Sequence, residues 1–414
     1  MTIRKMKLKR ILGLAFFLCA MVAAVEAQAL DEIRPGQEWP DRKGEHINAH
    51  GGGLLFHEGK YYWYGENRPA RGFTTEVGVE VYSSSDLMNW EDEGVALAVS
   101  DEAGHDIERG CIMERPKVVR NPKTGKFVML FHLELKGQGY AAARVGFAES
   151  DSPVGPFRFI RSLRPNAGKW PVDFSRRDIR KAKKLKESDY KEWWTPEWRE
   201  AIREGLLLAR DVPGGQMSRD MTVYVDDDGK AYHIYSAEEN LTLNIAELTD
   251  DYLDYTGRYV RVAPGGQNEA PAIFKRDGVY WMITSGCTGW APNEARMFKA
   301  TSLWGPWEQL PSPFVGKDAK KSFHTQGTYI FKVEGTEDGF VFMADRWNPR
   351  SLKNSRHIWL PIDFEADSTP VIRWVDGWSP VERFGTGLYA RRAEEGGRHI
   401  QKFALVVRCG RNNL

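Results

Sequence analysis

Five polar residues stand at the head of five separate apolar segments: His50, Glu114, Asp220, Glu269 and Gln326. They belong to the runs Asn48-Ala-His-Gly-Gly-Gly-Leu-Leu-Phe-His, Met113-Glu-Arg-Pro-Lys-Val-Val, Ser218-Arg-Asp-Met-Thr-Val-Tyr-Val, Asn268-Glu-Ala-Pro-Ala-Ile-Phe-Lys and Thr325-Gln-Gly-Thr-Tyr-Ile-Phe-Lys. One carboxylate before a strand is ordinarily solvated or capping. Three at matching points of successive repeats are a different matter, because a carboxyl group buried beside another carboxylate has a raised pKa and can act as a general acid on a leaving oxygen. That is the requirement of glycosidic bond cleavage. Glu269 is the residue on which such chemistry is expected to turn.

The elements that bring these residues together follow from the repeat. Each run enters a short turn and a second aromatic-rich strand, as in Glu58-Gly-Lys-Tyr-Tyr-Trp-Tyr, Asp228-Gly-Lys-Ala-Tyr-His-Ile-Tyr and Asp277-Gly-Val-Tyr-Trp-Met-Ile. A Gly-containing turn between apolar strands signals a hairpin. Further strands recur in Val81-Tyr-Ser-Ser-Ser-Asp-Leu-Met-Asn-Trp, Phe147-Ala-Glu-Ser-Asp-Ser-Pro-Val-Gly-Pro-Phe and Lys299-Ala-Thr-Ser-Leu-Trp-Gly-Pro-Trp, giving about four strands per repeat and a period of about 50–65 residues. The predicted fold is all-β, a five-bladed β-propeller. Its innermost strands converge on one axis, so the heads surround one cavity.

One stretch, about 173–210, breaks the pattern with Arg, Lys and Glu in place of strand alternation. Thr195-Pro196-Glu197 supplies an N-cap, a proline in the first turn and an acidic residue. Trp198, Ile202, Leu206 and Ala209 recur at helical spacing. A helical insertion between blades two and three is expected, with Trp193 and Trp194 available at the rim of the pocket.

The ends and the charge narrow the setting. Residues 1–29 read as a secretory signal peptide: a basic start (Lys5, Lys7, Lys9, Arg10), an apolar stretch from Ile11 to Val25 and small residues at Ala24, Ala27 and Ala29. Residues 30–414 form the propeller domain, placed in the periplasm or secreted. Cys111, Cys287 and Cys409 are too sparse for a disulfide framework and show no zinc spacing. The formal net charge of +1 gives no electrostatic case for nucleic acid or an anionic membrane as partner. Fifteen tryptophans supply sheet cores and platforms for sugar rings.

Asn48-Ala-His-Gly-Gly-Gly, Tyr62-Trp-Tyr-Gly-Glu66, Glu114-Arg-Pro-Lys-Val, Ser218-Arg-Asp, Glu269-Ala-Pro, Thr288-Gly-Trp-Ala-Pro-Asn293 and Asp345-Arg-Trp347 together resemble glycoside hydrolase family 43, from about Glu45 to Trp378. The likeness is to its branch of exo-β-1,3-galactanases and related β-galactosidases. The resemblance implies a five-bladed propeller, inversion at the anomeric carbon and no organic cofactor, with a plant polysaccharide or oligosaccharide as partner. It makes Glu269 the acid and Asp220 a pKa modulator or a ligand of sugar hydroxyls. The Asp that most of the family carries in blade one is missing, since Asn48-Ala49-His50-Gly51 stands there. In the galactanase-like branch a Gln at the head of blade five is thought to serve as base through its imidic acid form, and Gln326 matches it. Glu114 matches a catalytically important acidic residue. Two accounts of the base follow: Gln326 itself, or Gln326 orienting water while Glu114 takes the proton. Glu66, Arg115, Tyr140, Asn240, Trp290 and His50 are the implied substrate-binding residues. His324 matches a blade-five histidine that helps hold an axial metal, where a calcium ion would bind, although Thr325-Gln326 departs from that pattern. Other sugars cleaved on the same fold (α-L-arabinofuranose, β-D-galactofuranose, β-D-xylose) and an inactive sugar-binding propeller are the alternatives.

Overall fold

The computed structural model describes residues 28–385, so the signal-peptide expectation for 1–29 and Cys409 fall almost wholly or wholly outside the described residues. Five sheets, antiparallel except for one outer-edge pair, are built in chain order. They are β1 (His50–His57) to β4 (Glu91–Ala98), β5 (Ile112–Arg120) to β8 (Arg158–Leu163), β9 (Met221–Val225) to β12 (Tyr255–Val262), β13 (Glu269–Arg276) to β16 (Glu308–Leu310), and a last sheet. In that sheet β18 (Gln326–Lys332), β19 (Phe340–Arg346), β20 (Arg356–Phe364) and β21 (Pro370–Arg373) are joined at the outer edge by β17 (Phe314–Val315), which pairs parallel to β21. The innermost strands β1, β5, β9, β13 and β18 pack side by side in a closed ring. This is a five-bladed β-propeller.

Burial follows the sequence pattern. The second strand of each blade is largely buried because it is sandwiched between neighbouring blades; β6 (Phe127–Glu134) is buried along its whole length. Blades five and one are closed by a tryptophan cluster in which Trp39, Trp63, Trp90 and Trp359 meet at ring-centroid distances of 4.7–5.9 Å. A backbone bridge from Ile33 to Trp378 ties the two ends of the described chain. Truncating any one of these buried indoles costs about 3–5 kcal/mol.

Between β8 and β9 lie three helices: α1 (Arg176–Ala182), α2 (Pro196–Glu204) and α3 (Leu206–Asp211). Thr195 caps α2 by accepting from the Trp198 N–H, and Pro196 occupies its first turn. The periodic run from Trp198 to Ala209 predicts a single helix. Gly205, at φ 100°, breaks it in two. Trp198, Ile202, Leu206 and Leu207 are buried beneath it. Trp193 and Trp194 stay exposed and pack against Trp198, and neither lines the central cavity, contrary to the expectation of a rim.

Candidate active site

The heads of the inner strands are shaped by a shared local device. β1, β5, β13 and β18 each carry a register shift at their N-terminal end: His50/Gly53, Glu114/Lys117, Glu269/Ala272 and Gly327/Tyr329. Such bulges re-aim side chains and relax the ladder. That is where Pro116 and Pro271, which lack an N–H, are tolerated inside an inner strand. The residue after the head takes a positive φ in three blades: 60° at Gly51, 57° at Arg115 and 51° at Ala270. Its N–H then points sideways at a carboxylate of the adjoining blade. Gly51 donates to Asp345 Oδ2 at 2.7 Å, Arg115 to Glu66 Oε1 at 2.7 Å and Ala270 to Asp220 Oδ2 at 3.1 Å. Only glycine fits at position 51, because a Cβ there would stand 2.1 Å from Glu66 Oε1.

These heads surround a cavity of about 360 Å³ lined chiefly by Arg68, Glu114, Arg115, Asp220, Glu269 and Gln326, with Tyr140, Asn240, Trp290 and Trp347 around them. Arg115 is its hub. Its guanidinium reaches Asp220 Oδ2 at 3.0 Å, Gln326 Oε1 at 2.6 Å and the Gly327 carbonyl at 2.8 Å, so one fork spans blades two, three and five. Gln326 Oε1 also accepts from Trp347 Nε1 at 2.9 Å, and its Nε2 donates to Ser285 Oγ at 3.1 Å. The amide is therefore held by three partners, and the two N–H donors fix which end is oxygen.

Glu269 is the one carboxyl group here with a weak set of donors. Asn240 Nδ2 reaches its Oε1 at 2.7 Å. Burial and the Asp220 carboxylate push its pKa up to about 7. Asn240 closes a run of three successive left-handed residues, Glu238, Glu239 and Asn240, at φ 52°, 58° and 61°. Strain of that kind persists where the surroundings impose it. Here they do: Arg261 grips Glu238 with two bonds of 2.7 Å, while Arg210 from α3 and Arg219 both hold Glu239 at 3.2 Å.

Glu114 is the opposite case. Its Oε1 accepts from Arg68 Nη2 at 2.9 Å and Tyr140 Oη at 3.0 Å, and its Oε2 faces His132 Nδ1 at 3.1 Å. Burial alone would raise its pKa, but the His132 and Arg68 interactions outweigh burial and hold the carboxyl well below the usual range.

Eight of the ten site residues expected from sequence meet at this cavity: Glu114, Arg115, Tyr140, Asp220, Asn240, Glu269, Trp290 and Gln326. Trp290 is exposed and meets Trp347 edge-on at 5.5 Å. Two are corrected. His50 is fully buried, its ring stacked on His357 at 4.6 Å and its Nδ1 3.2 Å from Asp345 Oδ1. Its ring is held in the Asp345–His357 cluster and does not line the cavity. Glu66 is also buried, engaged with Arg68 and the Arg115 N–H. Both are buried behind the residues that line the cavity. His324 lies off the axis as well. Its side chain is 3.7 Å from Asp318 and faces an outer basin with Lys317, Arg346 and Trp374. The Arg115 guanidinium already stands among Asp220, Gln326 and the Gly327 carbonyl, and His324 is not part of that lining, so the residues present do not fit a cation held there by His324.

Sequence reasoning missed Arg68, His132 and Glu134. The last two were signalled by a polar pair two apart in the apolar strand Phe127-Val-Met-Leu-Phe-His-Leu-Glu.

The comparisons agree with the fold. Residues 196–370 match the model of glycosyl hydrolases family 43. A solved GH43 β-1,3-galactosidase with galactodeoxynojirimycin is 62% identical, covering 84% of this chain and 100% of that one with a TM-score of 0.81. An exo-β-1,3-galactanase from Phanerochaete chrysosporium with β-1,3-galactotriose is 31% identical over 84% of this chain and 68% of that one, TM-score 0.67. A β-D-galactofuranosidase of Aspergillus niger is 29% identical over 140 residues, 33% of this chain; the match spans 40% of that curated relative's length. The chain belongs to family 43 of the glycosyl hydrolases.

Proposed function

We propose that the protein is an exo-acting, inverting galactosidase that removes terminal β-1,3-linked galactose from galactan or arabinogalactan chains, outside the cytoplasm. The observation that carries this is the contrast across the cavity. Glu269, raised to about 7, is poised to hold and give a proton. Gln326 is locked by Arg115, Trp347 and Ser285 on the neighbouring blade. Glu269 protonates the departing oxygen. Asp220, ion-paired to Arg115, keeps that proton on Glu269 until the leaving oxygen develops negative charge. Gln326 faces the attacking water and, in its imidic acid form, takes the water's proton as the water oxygen bonds to the anomeric carbon and the bond to the leaving oxygen breaks. Glu114 is a poor alternative base, because both its oxygens already accept hydrogen bonds and its carboxyl is held ionised. Trp290 offers its indole face to the apolar side of a galactose ring, and Tyr140 and Asn240 meet its hydroxyls. The relatives that act on β-1,3-galactosides support the choice of sugar.

The test is product analysis by proton NMR during hydrolysis of a β-1,3-galactooligosaccharide. Galactose should appear one residue at a time, first as the α anomer. Initial β-galactose would overturn inversion. Release of arabinose, xylose or galactofuranose from the matching glycosides, with galactosides untouched, would overturn the choice of sugar.

A further inference from the structure

His132 sits directly opposite Glu114 in the β5–β6 pairing and is buried in the cavity wall. Its two ring nitrogens face carboxylates on both sides: Nδ1 is 3.1 Å from Glu114 Oε2, and Nε2 is 2.8 Å from Glu134 Oε1. Glu134 is fully buried and fixed from behind, since its Oε2 accepts the Ala143 N–H at 2.8 Å. An ionised carboxylate only accepts, so both nitrogens must donate, and a ring that donates twice is an imidazolium. We propose that His132 is a positioning residue whose buried imidazolium, clamped between Glu114 and Glu134, commits Glu114 to accepting a substrate hydroxyl.

The hydrogen-bond count supports that role. A carboxylate has about four acceptor positions. Arg68, Tyr140 and His132 fill three of those on Glu114, which leaves one directed at the cavity. A group saturated in this way has no use as a proton carrier. It is a rigid acceptor that reads one O–H, and the Tyr140 hydroxyl, which donates to Glu114, keeps its own lone pairs for a second. The charged groups packed around the ring are Glu114 from β5, Glu134 from its own strand, Asp220 from the head of blade three, whose carboxylate comes within 4.8 Å of a ring nitrogen, and Arg68, which reaches Glu114 from the loop after β2 (Lys60–Glu66). Tyr140 covers the ring at a centroid distance of 5.9 Å. Burial opposes the charge on His132, yet the two carboxylates outweigh it and raise the ring to about 9.

The reading of Glu114 as a sugar ligand rests on the proposed galactosidase function; the charge state of His132 does not. Long-range proton–nitrogen NMR of the nitrogen-15-labelled full chain should show both His132 ring nitrogens as imidazolium from pH 6 to pH 8, assigned through the signals displaced in Glu134→Gln. One unprotonated nitrogen at pH 7 would sink the clamp, since Glu134 would then hold the proton. Glu134→Gln removes one of the two carboxylates, so the ring should lose its proton at a lower pH. Galactose binding by calorimetry should then weaken roughly 10-fold at pH 8, about the worth of one charge-assisted hydrogen bond, and stay within about twofold at pH 6. Unchanged affinity at pH 8 would overturn the assignment of Glu114 as a ligand held by His132. Failure of galactose to bind the wild-type chain would overturn the choice of sugar, while the imidazolium signals of His132 would still decide the clamp.

Discussion

The heads of blades two and four are built alike and behave as opposites. Glu114 and Glu269 each lie at the head end of an inner strand, each is followed by a residue of positive φ whose N–H is given to the preceding blade, and each has a proline at the bulge. Around Glu114 stand Arg68, His132 and Tyr140; around Glu269 stand Asp220, Asn240 and Cys287. One carboxyl is held ionised and the other is driven up to about 7. The repeat therefore sets where a carboxyl goes. The charges on the adjoining strands set what it does.

Exchanging the carboxyl for an amide at each head tests that division most severely. Glu269→Gln is expected to lose on the order of 10³-fold or more in kcat on the natural polymer, with partial recovery on a nitrophenyl galactoside that needs little protonation. Glu114→Gln should lose roughly 10–100-fold in kcat/KM, with no recovery on the activated substrate, because binding has been lost and no proton is missing. Rescue of the Glu114 variant in place of the Glu269 variant would reverse the two roles. In the wild type, activity should fall as pH rises through about 7, where Glu269 loses its proton.

Gln326 comes next in size. Gln326→Ala should lose on the order of 10²–10³-fold, since the attacking water loses its partner. If Gln326 accepts the proton itself, the loss should match that of Glu269→Ala; a loss of only about 10-fold would return the base to Glu114. Gln326→Glu keeps acceptors for Arg115 and Trp347 and should remain active. Its added negative charge near Asp220 and Glu269 should move the alkaline limb of the pH profile upward. Complete inactivity of that variant would count against Gln326 facing the water. Trp290→Ala should be milder, raising KM about 3–10-fold with kcat within about twofold, as expected for a platform that binds ground state and transition state equally.

What the sequence discloses and what it hides divide along the same line. The inner-strand motifs repeat, so the propeller, the head positions and Glu269 can be read directly. The bulges cannot, and the partners that hold His50 in the Asp345–His357 cluster while Glu114 and Glu269 line the cavity lie on other strands and loops. Nor does periodicity reveal partners. His132 and Glu134 lie on a second strand, and Arg68 lies on a loop, each outside the repeated motif. Their effect on Glu114 is a matter of a few ångströms across two blades, which no spacing along the chain encodes.

The smallest effect expected is on stability, and it has opposite signs at the two heads. The Glu269 pKa is raised from 4.5 to about 7 in the folded chain, so its contribution to stability is fully present below about 4.5 and is lost as pH rises through about 7. Removing the charge should therefore change nothing near pH 4 and stabilise at pH 8, where the native state otherwise holds a buried ionised carboxylate beside Asp220. One pKa step is worth about 1.4 kcal/mol, and the opening of the cavity to water discounts the total to about 1–3 kcal/mol, or a Tm for Glu269→Gln about 2–6 °C above wild type at pH 8. For Glu114, whose folded pKa is depressed, stability is present above the unfolded value and is lost as pH falls through the folded one. Glu114→Gln should accordingly lower Tm at pH 8 and by nearly as much at pH 5, with the deficit shrinking only below about pH 4.5. Thermal unfolding of both variants at pH 5 and pH 8 gives four differences from wild type. If the two Tm shifts carried the same sign at pH 8, the two heads would share one electrostatic environment, and the assignment of an acid to one and a fixed acceptor to the other would fail together.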